Sequence, residues 1–474
     1  MTDAHGAARR ARAAALVGAL CVGACARTGA SDAPPSPCAA ASVVAATPRA
    51  AASSLATSAP VAAGPTGSAA AGRTARHLLL ITVDSLRADM PWVGYGRPIA
   101  PRMTALARQS VVYTHAYALS SYTSMSLGGL MAARHPSELE RDGRATSSFG
   151  EANVFFAEVL RAQGFRTVGA HGHVYFAGNT GIRQGFEAWR LVRRVTSRRA
   201  REGAVTDDEL AELVIEELTT HARDPAARRL FLWVHFMDPH FDYVPHREVR
   251  LDAPAAPPVP PGIELDATGA ALKRRWETEI AFTDRQVGRV LDTLAASPLR
   301  DDTLVVLTAD HGEAFGEKPR YFEHGFLLYE VTVRVPLLFH APWLAPRTLA
   351  ARRSHLDLAR TLAELLGVPL PETFRGASLV PELRGEVVPP RDVVIDMPYT
   401  DQSPRRRALV RGDSKLIVTE SSPRPELYDL ARDATERTDL AEQDAETRAR
   451  LQAALDALDR AVPDYPAPRR KRGY

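Results

Sequence analysis

The chain reads as an α/β protein: a mostly parallel sheet between helices, followed by a small antiparallel subdomain. Three observations predict this. Two runs rich in Leu, Ile and Val, at 78–83 and 304–307, are almost continuously apolar, as strands buried on both faces of a parallel sheet are. Amphipathic stretches at helical spacing, such as 100–107 and 279–294, lie between such runs, the alternation that builds parallel sheets. After Gly385 the pattern changes. Residues 408–420 hold two β-rich runs about a Gly-Asp-Ser turn, and 425–440 add a strand and a turn.

The length of 474 residues, with 45% hydrophobic and 24% charged, suits one large domain and a smaller one. Fifty-nine basic and 56 acidic residues leave a formal charge of only +3, which gives no reason to expect a nucleic-acid partner. The basic run at 469–472 reads as a frayed tail. Cysteine occurs only at Cys21, Cys25 and Cys38, so the folded body after them has no disulfide, thiolate metal site or cysteine nucleophile.

The N-terminus reads as an address and a tether. Arg9, Arg10 and Arg12 precede an apolar run at 13–24, too short to span a bilayer and fitting a signal peptide over 1–24. Val22, Gly23, Ala24 and Cys25 resemble a bacterial lipobox, which implies a lipid on Cys25; ordinary secretion and an uncleaved anchor are the alternatives. Residues 25–75, mostly Ala, Ser, Thr, Pro and Gly, read as a flexible tether. The expectation is an exported lipoprotein held on the cell envelope, in the periplasm or at the surface, with a large domain over 76–385 and a C-terminal subdomain and tail over 386–474.

Each central apolar run ends at a carboxylate. Asp84 follows Val83 directly, and Asp310 and His311 follow the run at 304–307 after Thr308 and Ala309. Ligands of open α/β sheets bind at the carboxyl ends of strands, so these residues are placed to hold a metal ion. An Asp capping the next helix beside a hydrogen-bonded His is the alternative. Arg87 and Asp89 read as a structural pair. In the stretch 122–136, Thr123 or Ser124 would cap a helix and face its free amides, where an anion is favoured; a plain cap, with Gly128 and Gly129 for close packing, explains the same residues.

Taken in order, VDSLRAD, the stretch ending ARHP, ADHGEAFGE and HGFLLYEVTVRVPLL resemble the sulfatase family within the alkaline phosphatase superfamily, from about His77 to Leu440. The segments 164–176, 183–189, 229–243, 279–294 and 354–369 extend the likeness. The resemblance implies an alkaline-phosphatase-like three-layer sandwich. It makes Asp84, Asp310 and His311 ligands of one divalent metal ion (Ca, Mg, Mn or Zn), with room for a second, and places Thr123 as a metal-bound nucleophile. His240 falls where the family has a histidine that contacts the ester or protonates the leaving group. His324 falls where relatives have a lysine or histidine on the anion or on a second metal.

The departures from the family pattern carry information. Sulfatases mature a cysteine or serine to formylglycine in a motif with proline two residues on and arginine four residues on; here the positions are Thr123, Met125 and Leu127. Threonine is no substrate for that maturation. Ser85 replaces a carboxylate often found next to the first metal-binding Asp. The expected function is a metal-dependent hydrolase of sulfate or phosphate esters carried by a glycan, lipid or small molecule. The alternatives are a phosphoryl or phosphoethanolamine-type transferase and a catalytically silent lipoprotein that binds an anionic glycan. His235 reads as a hydrogen-bonded core residue, and His171 and His173 as either pocket wall or structure. Residues 247–268 read as a surface loop near the pocket mouth, Asp284 as a helix-face or buried pairing residue, Lys415 as a solvated strand-edge lysine, with approach to the active site the alternative, and 441–461 as a closing helix.

Overall fold

The computed structural model describes residues 73–196, 205–224, 226–244, 246, 249, 251, 265–462 and 464–466. The signal peptide, Cys25, the tether up to residue 72, most of the 247–268 loop and the basic tail lie outside the described residues. Among those described, no helix is long and apolar enough to cross a membrane.

In chain order the strands are β1 (His77–Val83), β2 (Val111–Tyr117), β3 (Arg166–His171), β4 (Ala188–Leu191), β5 (Leu230–Phe236), β6 (Thr303–Ala309), the short β7 (Ala314–Phe315) and β8 (Phe322–Glu323), β9 (Arg334–His340), β10 (Arg347–Ser354), and β11 (Val393–Met397), β12 (Arg406–Arg411), β13 (Ser414–Thr419) and β14 (Glu426–Asp429). Eight of them form the central sheet in the order β10-β2-β9-β6-β1-β5-β3-β4. Only β9 runs against its neighbours. The sheet is therefore mixed and mostly parallel, as expected.

The continuous apolar runs divide between two cores. Leu78, Leu80, Leu304 and Val306 pack on one face of the sheet, and Leu79, Ile81, Val305 and Leu307 on the other. Side chains alternate along a strand, so a strand covered on both sides must be apolar throughout.

The long helix Ala267–Ala295 crosses the second face. Its buried Asp284 accepts hydrogen bonds from the Arg102 and Met103 amides at 2.9 and 2.7 Å, closing the start of the helix Pro101–Ala107. The buried pairing role expected of Asp284 is thus a helix cap. Arg87 is structural too: it is fully buried and bonds Asp89 at 2.7 Å and Glu317 at 2.6 Å.

The antiparallel sheet β11-β12-β13-β14 rests one face on the main body, where Val393, Ile395, Met397 and Ile417 meet Tyr117, Met125 and Leu328. The closing helix Ala445–Ala461 covers the other face through Leu451 and Leu455. Lys415 departs from expectation. It is fully buried, paired with Glu330 at 2.9 Å and Glu436 at 2.8 Å, because β13 is an inner strand of its sheet and its lysine meets two carboxylates instead of water.

Candidate active site

The register of the sheet builds the site. β1 and β6 pair in parallel with Val83 opposite Ala309, so Asp84 and Asp310 emerge side by side from adjacent strand ends. No helix follows Asp310 for it to cap; the chain passes into the β7–β8 ribbon. Gly312 is needed there, since a Cβ would collide with the Val331 carbonyl.

Asp84, Asp310 and His311 are fully buried, and one ligand atom from each lies within 4.8 Å of the others. His311 Nδ1 lies 2.9 Å from the Gly312 carbonyl and donates to it, which leaves Nε2 with a free lone pair. That nitrogen is 3.3 Å from Asp310 Oδ2 and 3.8 Å from Asp84 Oδ1. Asp310 Oδ1 accepts from the amides of His311 at 2.8 Å and Ser85 at 3.3 Å, whereas the buried Oδ2 has no hydrogen-bond partner. Burial and the neighbouring Asp84 charge push the Asp310 carboxyl up. An orphaned carboxylate oxygen, a second carboxylate and an imidazole nitrogen beside the Thr123 hydroxyl in one buried cradle are a donor set that fits a divalent cation.

Two features hold Asp84 in place. Ser85, at φ 56°, donates from Oγ to Asp84 Oδ1 at 3.0 Å, so the residue that replaces a carboxylate steadies the two that remain. On β5, His235 Nε2 lies 3.3 Å from Asp84 Oδ2, while its Nδ1 faces the Thr82 hydroxyl at 2.9 Å. His235 is hydrogen-bonded core, as read, and also props Asp84. Burial alone would raise the Asp84 carboxyl, but the charge of His240 and the His235 hydrogen bond outweigh it and hold it well below the usual range.

Thr123 opens the helix Thr123–Ala132. The expected side-chain cap is absent: Tyr122 occupies the N-cap position, and neither hydroxyl turns back to the helix amides. Ser124 Oγ donates instead to the Ala145 carbonyl at 2.6 Å, and Thr123 Oγ1 lies 3.1 Å from His311 Nε2. Ser126 Oγ donates to the Asp310 carbonyl at 2.5 Å, which ties this helix to the strand end carrying the acids. Gly128 packs under Phe149, whose ring a Cβ would strike.

A cavity of about 480 Å³ opens over Thr123, with His240, His324 and His173 in its wall. Burial opposes protonation of His240, but the facing Asp84 and Glu313 carboxylates prevail and raise its pKa; its Nδ1 meets the Phe241 carbonyl at 2.5 Å. His324 is driven the other way, first by burial and then by the neighbouring His240, and so stays neutral. Its Nδ1 lies 3.4 Å from Glu313, whose carboxyl burial pushes up to about 7. His173 Nδ1 accepts from the Tyr175 amide at 2.8 Å, so the neutral ring presents Nε2–H.

Every predicted site residue thus meets at one place: Asp84, Asp310, His311 and Thr123 at its floor, His240 and His324 in its wall. Of the two undecided histidines, His173 lines the cavity, while His171 is packed 4.4 Å from Phe176 and 4.1 Å from Trp189, ring centre to ring centre, without a polar partner. Glu313 was in the quoted motif without a role; its place one residue beyond Gly312 was the available signal. Arg406 and Tyr175 reach the cavity from distant segments, and no local pattern marks them.

Fold and site together define a metal-dependent ester hydrolase built on a mixed α/β sheet. The family description Sulfatase matches residues 76–368, and the description N-sulphoglucosamine sulphohydrolase, C-terminal, matches 316–461. The chain belongs to the sulfatase family, within the alkaline phosphatase superfamily. A choline-sulfatase of Rhizobium meliloti (strain 1021) is 27% identical over 428 residues, covering 77% of this chain and 82% of that protein. A Delta 4,5-hexuronate-2-O-sulfatase of Bacteroides thetaiotaomicron is 30% identical over 200 residues, 39% of this chain and 40% of the other. The phosphonate monoester hydrolase of Agrobacterium radiobacter superposes with a TM-score of 0.69 at 21% identity over 83% of this chain and 96% of its own. A 2-O GAG sulfatase gives 0.68 at 19%, over 83% and 93%.

Proposed function

We propose that the protein hydrolyses sulfate or phosphate esters of a glycan or small molecule with the Thr123 hydroxyl as nucleophile. The observation that carries this reading is Thr123 Oγ1 at 3.1 Å from His311 Nε2, beside the unpartnered Asp310 Oδ2. A divalent cation (Ca, Mg, Mn or Zn) held by Asp84, Asp310 and His311 would lower the pKa of that hydroxyl and offset charge on the ester oxygens. Thr123 Oγ attacks the sulfur or phosphorus in line, its proton passing to solvent. As the ester bond breaks, the leaving oxygen takes a proton from His240, whose pKa the facing Asp84 and Glu313 raise against the effect of burial. His173 Nε2–H is a fixed donor in the same wall. Water then attacks the covalent intermediate at sulfur or phosphorus and frees Thr123.

A phospho-threonine is released by attack at phosphorus, whereas a sulfo-threonine lacks the escape route that a formylglycine hydrate offers. Phosphate and phosphonate esters are therefore the faster substrates in this reading, and the fold shared with a phosphonate monoester hydrolase supports it; similarity to a choline-sulfatase supports sulfate esters. The test is turnover of paired aryl sulfates and aryl phosphates by the metal-loaded protein. Tight metal binding with turnover of neither would replace this reading with that of an anion-binding protein. Transfer to an added alcohol in preference to water would make it a transferase. Export and a lipid on Cys25 complete the proposal, resting on the Arg-led apolar run and the lipobox-like 22–25; an unmodified mature N-terminus in mass spectrometry would remove the anchor.

A further inference from the structure

Chemistry at Thr123 leaves one cation of the cavity unused. Arg406 opens β12 in the C-terminal sheet, and its side chain lines the same cavity as Thr123, His240 and His324. Its flanking arginines are consumed by structure. Arg405 pairs with Asp459 at 3.2 Å and Asp464 at 3.1 Å, and Arg407 with Asp396 at 2.9 Å. Side chains alternate along an extended segment, so Arg405 and Arg407 share one side and Arg406 takes the other, toward the cavity.

There Arg406 has no carboxylate partner among the described residues. Its side chain donates once, from Nη1 to Ser403 Oγ at 2.5 Å. The one carboxylate in the cavity wall, Glu323, forms no ion pair with it. Burial pulls the guanidinium below its ordinary value, with the Tyr321 and Tyr329 hydroxyls and Glu426 opposing. A half-buried guanidinium has five donors to satisfy, and an unpaired one is costly unless a ligand completes it. Part of the wall is aromatic: Tyr122 and Phe326 stack at 5.4 Å, and Tyr175 and Phe241 line the same cavity, a surface for the flat face of a ring. A volume of about 480 Å³ holds a ring as well as the ester group.

We propose that Arg406 is a specificity-determining residue that pairs with an anionic group on the alcohol part of the ester, so that preferred substrates are sulfate or phosphate esters of a ring-bearing hydroxy acid, such as a uronate. The proposal rests on ester hydrolysis at this site. A planar carboxylate is the group a guanidinium fork fits best; a second sulfate shares the charge without the planar match.

The test pairs 4-nitrophenyl sulfate and phosphate with the corresponding esters of 4-hydroxybenzoate, and a sulfated hexuronate with the equivalent sulfated hexose. The metal-loaded full chain is compared with Arg406→Gln and Arg406→Lys. The parent is expected to favour the carboxylated member by about tenfold or more in kcat/KM, expressed in KM. Arg406→Gln lowers that ratio by about the same factor, and Arg406→Lys restores part of it. No preference in the parent, or equal slowing of both members by Arg406→Gln, overturns the proposal; the second result would put Arg406 on the transferred group. A larger preference for a disulfated ring than for the carboxylate overturns the choice of carboxylate. Calorimetric binding of the same pairs to Thr123→Ala needs no turnover. If the parent hydrolyses nothing, the hydrolase reading fails by itself, and equal affinities for the two members would sink the Arg406 proposal separately.

Discussion

Replacing Thr123 with alanine separates nucleophilic catalysis from every other function of the cavity. The side chain is 5% exposed, and its hydroxyl has one protein partner, His311 at 3.1 Å. Removing a hydroxyl and a methyl there costs about 1–2 kcal/mol of stability. Removing an attacking oxygen costs on the order of 10⁴-fold or more in kcat, about 5.5 kcal/mol of barrier. The second figure exceeds the first severalfold, so an inactive Thr123→Ala that melts within a few degrees of the parent has lost chemistry and not its fold. Thr123→Ser keeps the oxygen and is expected to retain turnover within about tenfold. The assay is steady-state hydrolysis of aryl sulfate and aryl phosphate with added divalent cation, joined to acid quench and peptide mass spectrometry for a sulfo or phospho group on Thr123. Turnover by Thr123→Ala close to that of the parent, or a covalent group trapped on a different residue, would refute the reasoning.

Four further outcomes follow from the same geometry. Asp310→Asn removes one of two like charges from a buried cradle, so the metal-free protein should gain roughly 1 kcal/mol while the rise in melting temperature on adding cation disappears; a variant that still binds cation as tightly would contradict the ligand assignment. His235→Phe takes the prop from Asp84 and should weaken cation affinity about 10- to 100-fold by calorimetry, where unchanged affinity counts against that prop. Lys415→Met leaves Glu330 and Glu436 facing each other without their cation, an expected loss of about 3–5 kcal/mol in urea unfolding, and adding Glu436→Gln should recover part of it. Asp396, beside Arg407, is buried, yet the Arg407 charge holds it down at about 2 against the usual 3.8. A depressed folded value means the stabilisation is present above about pH 4 and lost as pH falls toward 2, so Asp396→Asn should cost roughly 2 kcal/mol at neutral pH, and the gap to the parent should close over that window.

The acids and the strands beneath them were legible because both signals are local. A run such as Leu78–Val83 needs no partner to look buried on both faces, and Asp84 at its end needs only the rule that sheets bind ligands at strand tips. Reading Thr123 as a cap failed for an instructive reason: propensity places a hydroxyl at a helix start, but a buried histidine lone pair at hydrogen-bond distance competes for the same group. Lys415 was misread because sequence does not reveal whether a strand is inner or outer. Arg406 was invisible, since three consecutive arginines look equivalent until the alternation of β12 sends one of them into the cavity and its neighbours to Asp396, Asp459 and Asp464.

The in-step pairing of Val83 with Ala309 has an evolutionary corollary. The two acids owe their meeting to counting residues along neighbouring strands, so deleting a single residue within either strand would shift one acid by about 3.3 Å and turn it to the opposite face of the sheet. Loops around the cavity carry no such arithmetic and are free to lengthen, shorten or change charge. A lineage built on this frame can try new alcohols at its rim for as long as it leaves the length of those two strands alone.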